Sequence, residues 1–580
     1  MISRFSLLPA RFSLLCTALL CTLPFLQPYH LYPLTSFYSE WLAFALGLGV
    51  LVVLLDPRLE GRAEVPWVVL SPLALAVLFM AHGFFGLSPY FGQALAGALY
   101  LGWAALLIVA GRALVMTCGA EKLCMVVASS LAVGALLSAL AGAIQFFELK
   151  TPLNVLIAQP TSAALFGNLA QANHFASHAT LGLLSLAYLS GRSARAAMAA
   201  GLCALPLLFV LGVSGSRSVW LYLLAAFVLA AWLRRIAADR ASKRIFMVVG
   251  GFVASYFLMQ LVVQAGWIRP PQREAVTALE RLFTSPGSVA DRFSLWGAAW
   301  AMLLAHPLLG VGWGAFAAAY FDHVTAMDAD NLFRLYQNSH NIVLHLLAET
   351  GLVGGALLVV PMLAWAGHAL RAPRNTQLWW LLALIGVIAI HSLLEYPLWY
   401  AYFLSIAALL LGAADTPAFR LRKVRLLVFT VLLAGAFNLA VQWTDYRTFE
   451  RIFHPRAQEL PPANLVGLMT DLHRNPLLMP YVELSTALAL GLDETGHQQQ
   501  LFLNTRALRF SPQPRLVYRQ ALLLALAGRP LEAREQLQRA RRAYREPAEF
   551  SADLERLARS HPALMRPLLE SAPRSAQTHP

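Results

Sequence analysis

Few side chains in this sequence are equipped for chemistry, and they fall into a handful of short segments. His340 lies in QNSHNIVLHLLAETGLVGG (337–355), where a polar run passes directly into an apolar helix. If Asn341 opens that helix, Asn341, His345 and Glu349 follow at i, i+4 and i+8 and share one face. Such a stripe points into a span otherwise built from Ile, Val, Leu, Ala and Gly. Polar groups at that depth are costly, so they face a protein interior or a wet cavity and do a job there. Hydrogen bonds to neighbouring helices account for the stripe equally well.

Four other segments carry candidates. In GNLAQANHFASH (167–178), Gln171, Asn173 and His174 supply donors and acceptors where the backbone leaves water. His174 and His178 have the spacing of metal ligands on a helix, but no third ligand is near, so hydrogen bonding to a polar substrate or to other helices is the reading preferred here. In SGSRSVW (214–220), Arg217 is a guanidinium in a short connection that goes against the charge trend. It can bind a phosphate or pyrophosphate through two parallel hydrogen bonds, or snorkel to lipid headgroups. Residues 291–305 have a helical pattern with Phe293, Trp296, Trp300 and Leu303 or Leu304 available for an apolar face, suited to lying on a membrane or capping a cavity. Arg269, Arg273, Arg281 and Arg292 make the surrounding loop basic. In HSLLEYPLWYAY (391–402), Pro397 interrupts a span and strands Glu395 and Tyr396 near its end, while Trp399, Tyr400 and Tyr402 serve as interfacial anchors.

The elements that must position these residues follow from composition. Of 580 residues, 58% are hydrophobic and 13% charged, and the mean hydropathy is +0.60. That is too apolar for a water-soluble chain of this size, so lipid is its solvent. Apolar stretches reach about 20 residues, the length of a helical span, and strand alternation is absent. The fold class is therefore all-α and polytopic, with about thirteen spans by the hydropathy window. They lie near 12–31, 40–55, 65–86, 91–116, 123–147, 174–190, 197–213, 218–233, 244–264, 341–366, 377–392, 397–413 and 425–442. Residues 1–442 form the membrane domain, with a large loop over 265–340.

Basic residues alternate between connections. One set holds Arg4 and Arg11; Arg58 and Arg62; Arg112 and Lys122; Arg192 and Arg195; Arg234, Arg235, Arg240, Lys243 and Arg244; Arg371 and Arg374; and Arg420, Arg422, Lys423 and Arg425. The positive-inside rule makes that set cytoplasmic, together with the amino terminus. The 265–340 loop and everything from 443 onward then face outward. Residues 12–31 read as a retained span, because no small-x-small cleavage site follows. None of the five cysteines lies in the outer loop or tail, so no disulfide framework is expected. No CxxC, HExxH, P-loop or GxGxxG occurs, which removes the usual sequence evidence for a structural zinc, a metalloprotease or an energised transporter.

From 443 to 580 the composition changes to Arg- and Gln-rich amphipathic helices separated by turns at 493–496, 511–514 and 528–530. The segments 507–514 and 540–547 occupy matching places about 33 residues apart, near the tetratricopeptide period. A short helical-repeat array presents a concave surface to peptides or proteins; a plain helical bundle is the alternative. The end, from about Ala572, reads as frayed.

Taken together, GNLAQANH, SGSRSVW, DRFSLWGAAWAMLLAHPLLGVGWG, SHNIVLHLLAETGLVGG and HSLLEYPLWYAYF resemble the signature segments of bacterial protein O-oligosaccharyltransferases. That family is the pilin-glycosylating branch of the O-antigen ligase and polymerase superfamily. The resemblance runs from about residue 160 into the tail, with one departure: Ala172 stands where the family usually has proline. It implies transfer of a glycan from an undecaprenyl-pyrophosphate carrier to a Ser or Thr hydroxyl of an exported, pilin-like protein, at the periplasmic face of the bacterial inner membrane. By matching position, it implies catalytic roles for His340, Gln171, Tyr396 and Arg217, with Arg292 a second guanidinium. Asn173, His174, Asn341 and Glu349 are the further substrate-binding candidates. His340 would act as general base, and no metal or cofactor is expected. Membrane lipids are expected partners, and nucleic acid is not. An O-antigen ligase or polymerase shares the same core but needs no tail of this size. A transporter of a lipid-linked glycan would place polar residues through the midplane and on both faces.

Overall fold

The computed structural model describes residues 8–159, 165–237, 239–271, 287–327, 334–422, 424–453, 469 and 471–570. Arg4, Arg273, Arg281, Lys423 and the segment from Ala572 lie outside the described residues. The rest is helical apart from one small sheet, and each of the thirteen apolar segments coincides with a helix. The protein is an all-α, multi-pass membrane protein. Ten of its described helices are long and apolar enough to cross a bilayer, and two shorter apolar ones accompany them.

The first part comprises α1 (Leu8–Leu20), α2 (Leu23–Leu26), α3 (Phe37–Leu51), α4 (Leu70–Phe84), α5 (Phe91–Cys118) and α6 (Ala120–Phe146). Then come α7 (Ala172–Ser190), α8 (Ala194–Val213), α9 (Ser218–Ala237) and α10 (Arg240–Gln264). Polar caps start several of them. Ser193 accepts from the Ala196 amide at the head of α8, and Asp239 accepts from that of Ser242 at the head of α10, each supplying an acceptor to an otherwise orphaned N–H. Helix α7 falls short of the hydropathy of its neighbours because it carries His174, Ser177, His178 and Thr180. It tolerates them because α6, α8, α9 and α10 surround it, leaving nearly every residue of its length buried.

The large loop contributes α11 (Gly287–Ala305) and α12 (Phe316–Ala326), and then α13 (Ile342–Arg371) re-enters the apolar zone. The loop's glycine-rich GVGWG run lies against a break in α13. Gly351 there has φ 64 and ψ −164, and a Cβ on it would stand 2.2 Å from the Leu308 carbonyl oxygen. The amide of Leu352 donates to the carbonyl of Pro307, and the amides of Val311 and Gly312 donate to the carbonyls of Ala348 and Glu349. Only glycine combines that dihedral with that approach.

The remaining spans are α14 (Thr376–Ser392), α15 (Ala401–Ala414) and α16 (Val424–Phe453). Helices α5 and α15 pack at very short range: a Cβ on Gly412 would come 1.9 Å from the Ile108 carbonyl oxygen. A feature the apolar periodicity did not announce is a two-stranded antiparallel sheet, β1 (Ala63–Pro66) with β2 (Pro417–Leu421), pairing Ala63 with Leu421 and Glu64 with Arg420. Its strands are too short to show alternation. It lies at the end where the alternating basic residues gather. Glu64 takes hydrogen bonds from Arg112 and Arg420 there, Arg192 pairs with Glu121, Arg425 with Glu60, and Arg374 lies over the Trp232 ring.

The tail forms α17 (Met479–Ala489), α18 (His497–Phe510), α19 (Pro514–Leu526), α20 (Pro530–Ala543), α21 (Ala548–Ser560) and α22 (Pro562–Leu569). Consecutive members from α17 to α20 pack side by side as in a helical-repeat array. The array leans on the membrane part. Glu483 accepts from the Tyr90 hydroxyl and from Arg506, and Gly92 is so close to Pro476 that a Cβ would fall 1.7 Å from its oxygen.

Candidate active site

Asn341 caps α13 with its side-chain oxygen, accepting from the amides of Val343 and Leu344 at 3.1 Å each, and its amide nitrogen donates to the Leu393 carbonyl. The residue before the cap, His340, is held at φ 52, in the left-handed region that a side chain enters at a cost of about 1–3 kcal/mol. Its surroundings fix that conformation. The His340 amide donates to Asn338, the Ser339 hydroxyl donates to the Asn341 carbonyl, and the Trp296 indole of α11 donates to the Ser339 carbonyl at 3.1 Å.

The His340 ring is thereby brought to Glu395, which sits in the break between α14 and Pro397. His340 Nδ1 is 2.7 Å from Glu395 Oε2. Glu395 Oε1 accepts from Arg292 of α11 at 2.8 Å and from Asn173 of α7 at 3.0 Å. Asn173 in turn accepts from the Ser216 hydroxyl at 2.8 Å, which puts the SGSRSVW turn, and Arg217 with it, at this end of the molecule. The Glu395 side chain is only 6% exposed. A carboxylate buried to that degree is stable only when paired. Burial pushes its pKa up, but the hydrogen bond from His340 and the nearby charges of His340 and Arg292 outweigh it, so the carboxyl titrates below its ordinary range. An ionised carboxylate only accepts, so the hydrogen between it and His340 belongs to Nδ1, and whenever the ring gives up its other proton the lone pair is left on Nε2.

Around this cluster stand tyrosines. The Tyr396 ring centroid is 5.3 Å from that of His340, and Tyr336 is 5.8 Å away. Burial first, and the adjacent Glu395 second, push the Tyr396 phenol above its ordinary pKa, so it is a hydrogen-bond donor at neutral pH. Gln171 heads α7, and its side-chain oxygen is buried without a hydrogen-bond partner among the described residues. Ala172 occupies the first helical position of α7, where proline is well accommodated, so the departure from the family's usual residue leaves the turn intact.

A cavity of about 540 Å³ opens beside the cluster. Tyr396, Gln337 and Asn338 lie at one part of its wall, and the apolar remainder runs between α4, α5, α13 and α15, past Leu75, Leu101, Ile108 and Leu411. Tyr481 and Phe510 of the tail also line it.

Three of the predicted residues have other surroundings. Glu349 lines the cavity and accepts from the Phe316 amide at 2.9 Å, with His345 Nε2 at 3.3 Å from its other oxygen. His174 is packed against Tyr400 and His391, with the Tyr396 ring at 6.3 Å. Asn341 acts on the backbone, as described. His178 stacks on Phe25 at 4.1 Å, and no group of three or more metal-ligating side chains is found among the described residues. Of the expected apolar stripe of α11, Leu303 is buried and Trp296 packs half-buried against the core, whereas Phe293, Trp300 and Leu304 are exposed; Leu295, Ala298, Ala299 and Met302 complete the buried face.

Sequence reasoning underrated Glu395. Pro397 explained why it was stranded, but not that it would take hydrogen bonds from three separate segments at once. The available signal was physical: a lone carboxylate at the end of an apolar span needs cationic partners, and His340 and Arg292 were among the candidates on the same side.

Residues 202–359 match the family model described as O-Antigen ligase, and residues 379–558 match that described as Virulence factor membrane-bound polymerase, C-terminal. The first match contains Arg217, Arg292 and His340, and the second contains Glu395, Tyr396 and most of the tail. Over 473 residues, 80% of each chain, the sequence is 27% identical to a general O-oligosaccharyltransferase of Acinetobacter baylyi. A ComP-specific O-oligosaccharyltransferase of the same organism is 24% identical over 249 residues, 43% of each chain. These matches bear out the resemblance carried by the signature segments.

Proposed function

We propose that this chain, similar over most of its length to bacterial protein O-oligosaccharyltransferases, transfers an oligosaccharide from undecaprenyl pyrophosphate to a Ser or Thr hydroxyl of an exported, pilin-like protein. The observation that carries the reading is the single carboxylate of Glu395 bound at once to His340, Arg292 and Asn173 beside a deep apolar cavity. An imidazole whose Nδ1–H is held by a carboxylate presents Nε2 as a base in a fixed orientation. A neutral hydroxyl is a weak nucleophile, and proton removal during attack is the help it needs.

The acceptor oxygen attacks the anomeric carbon as its proton passes to His340 Nε2. The bond from that carbon to the phosphate oxygen breaks, and the electron pair leaves with the pyrophosphate. The simplest course is a single displacement with inversion. Charge growing on the leaving group is met by Arg217 and by the donors of Arg292 that Glu395 does not occupy; a guanidinium has five. With those cations in place the step needs no metal. Gln171 and Tyr396 offer an acceptor and a donor to the sugar or the incoming hydroxyl. The apolar part of the cavity accommodates isoprene units of the carrier, side by side with the cluster.

The clustering of basic residues at the opposite end supports an inner-membrane orientation with that end cytoplasmic and the site and tail periplasmic. Residues 1–442 would then be the transfer domain and 443–580 an outer helical domain. The test is co-expression with a lipid-linked glycan and an acceptor pilin. A glycan-sized mass increase on the acceptor that disappears in His340→Ala, with unchanged membrane insertion, is the expected result. Equal modification by the variant would exclude the base.

A further inference from the structure

The concave side of a helical-repeat array is where a peptide partner would be sought, but here the chain's own loop occupies the array. Helix α12 packs against both α18 and α20, alternate members of the tail. The Arg539 guanidinium of α20 lies over the Phe321 ring at 5.0 Å, pairs with Asp322, and donates from Nε to the Thr325 hydroxyl at 3.3 Å. Arg542 donates to the Thr325 carbonyl at 3.0 Å, and Phe321 stacks on Tyr544. Beneath these contacts runs one continuous apolar core, shared by Leu295 and Met302 of α11, Phe316 and Tyr320 of α12, and Val517 and Leu537 of the tail.

From that core the path to the cluster is short. The Tyr320 ring meets the Tyr336 ring at 6.2 Å, and Tyr336 meets His340 at 5.8 Å. The Phe316 amide is held by Glu349, and α11 carries both Arg292 and the Trp296 that holds the Ser339 carbonyl. His340 itself sits in a strained conformation, which persists only where surrounding contacts over-determine it.

We propose that the tail is a clamp on α12 and, through it, the positioning element for His340, and that its repeat groove is not the docking surface for the acceptor. The proposal rests on the reading of His340 as the base. Arg539 is a positioning residue: it acts through α12 and Tyr336, not on substrate. An acceptor polypeptide entering the groove would have to displace α12, separating Arg539 and Arg542 from their partners and opening the shared core.

Two measurements on the purified full-length protein, reconstituted with lipid-linked glycan and acceptor, decide the matter. Arg539→Ala and the milder Thr325→Val are compared with Arg534→Ala, an exposed control on the same helix. In Arg539→Ala, amide hydrogen exchange over 316–327 and 334–341 rises while that of the spans does not. Its kcat falls roughly tenfold or more, as misplacing a catalytic group does, and the acceptor KM stays within about twofold. Arg539→Lys retains most activity, and Arg539→Asp, damaged alone, recovers in part when combined with Asp322→Arg. A raised acceptor KM with unchanged kcat would instead make the groove an acceptor site and overturn the proposal. So would unchanged exchange, or faster exchange with unchanged kcat. If the unmodified protein transfers no glycan, the functional reading fails, and the exchange data still judge the clamp.

Discussion

Glu395 has two oxygens and three partners, and its neighbours depend on it more than it depends on any one of them. Glu395→Gln keeps the shape but removes the charge that orients His340 and pairs Arg292. Turnover is expected to fall roughly a hundredfold or more, the scale of positioned acid–base help, with normal membrane insertion; single-turnover kinetics would measure it. Because the native pKa of Glu395 is depressed, its ion pairs add stability that is present above the ordinary carboxylate value, about 4.3, and is lost as pH falls through the lower native value. The reconstituted protein should therefore melt at progressively lower temperature across that acidic window, and Glu395→Gln should flatten this part of the profile. For Arg217, replacement by Lys keeps the charge and loses the two-point fork. Impaired turnover is expected, and full activity would leave it a headgroup anchor.

At the scale of elements, His340 is presented by a helix cap and a helix break. Asn341→Ala removes the cap of α13 and the tie to Leu393, and should cost about 1 kcal/mol of stability together with activity, because the residue just before it is His340. Gly351→Ala should be worse. It forces a side chain into φ 64 and against the Leu308 carbonyl oxygen, detaching the GVGWG run. A drop in folded yield, read by size-exclusion profile and melting temperature, is the expected signature, whereas Gly367→Ala on the same helix, with open space around it, should be neutral. Helix α7 is enclosed by protein on every side. Its polar residues lower its hydropathy, yet it is the most enclosed of the spans, since surrounding protein rather than lipid is what its side chains meet.

Across the whole molecule, the cavity joins spans, loop and tail: α4, α5, α13 and α15 supply its apolar walls, Trp313 comes from the loop, and Tyr481 and Phe510 come from the tail. If it holds isoprene units, filling it should discriminate between carriers. Ala96→Trp is expected to raise KM for a full-length polyprenyl donor several-fold, and to leave a donor with a much shortened lipid nearly unaffected. Equal effects on both would place the carrier elsewhere. The contacts of the tail with Tyr90 and Gly92 on α5 and with α12 in the loop make it part of the enzyme's frame.

What was legible in the sequence was whatever depends on local chemistry. Apolar runs of spanning length announced all thirteen helical segments, because lipid forces each backbone to satisfy its own hydrogen bonds. The polar interruptions marked His340, Arg217, Gln171 and Tyr396 as unusual, and turn residues divided the tail. Tertiary structure decided which of these meet. Glu395 lies 55 residues from His340, 103 from Arg292 and 222 from Asn173 along the chain. Nothing in the spacing shows that one carboxylate collects all three, and nothing in a repeat pattern shows that a helix some 200 residues earlier packs against alternate members of the array. Such pairings arise from the packing of distant elements, where burial makes an unpartnered charge too costly and so selects the arrangement that pairs it.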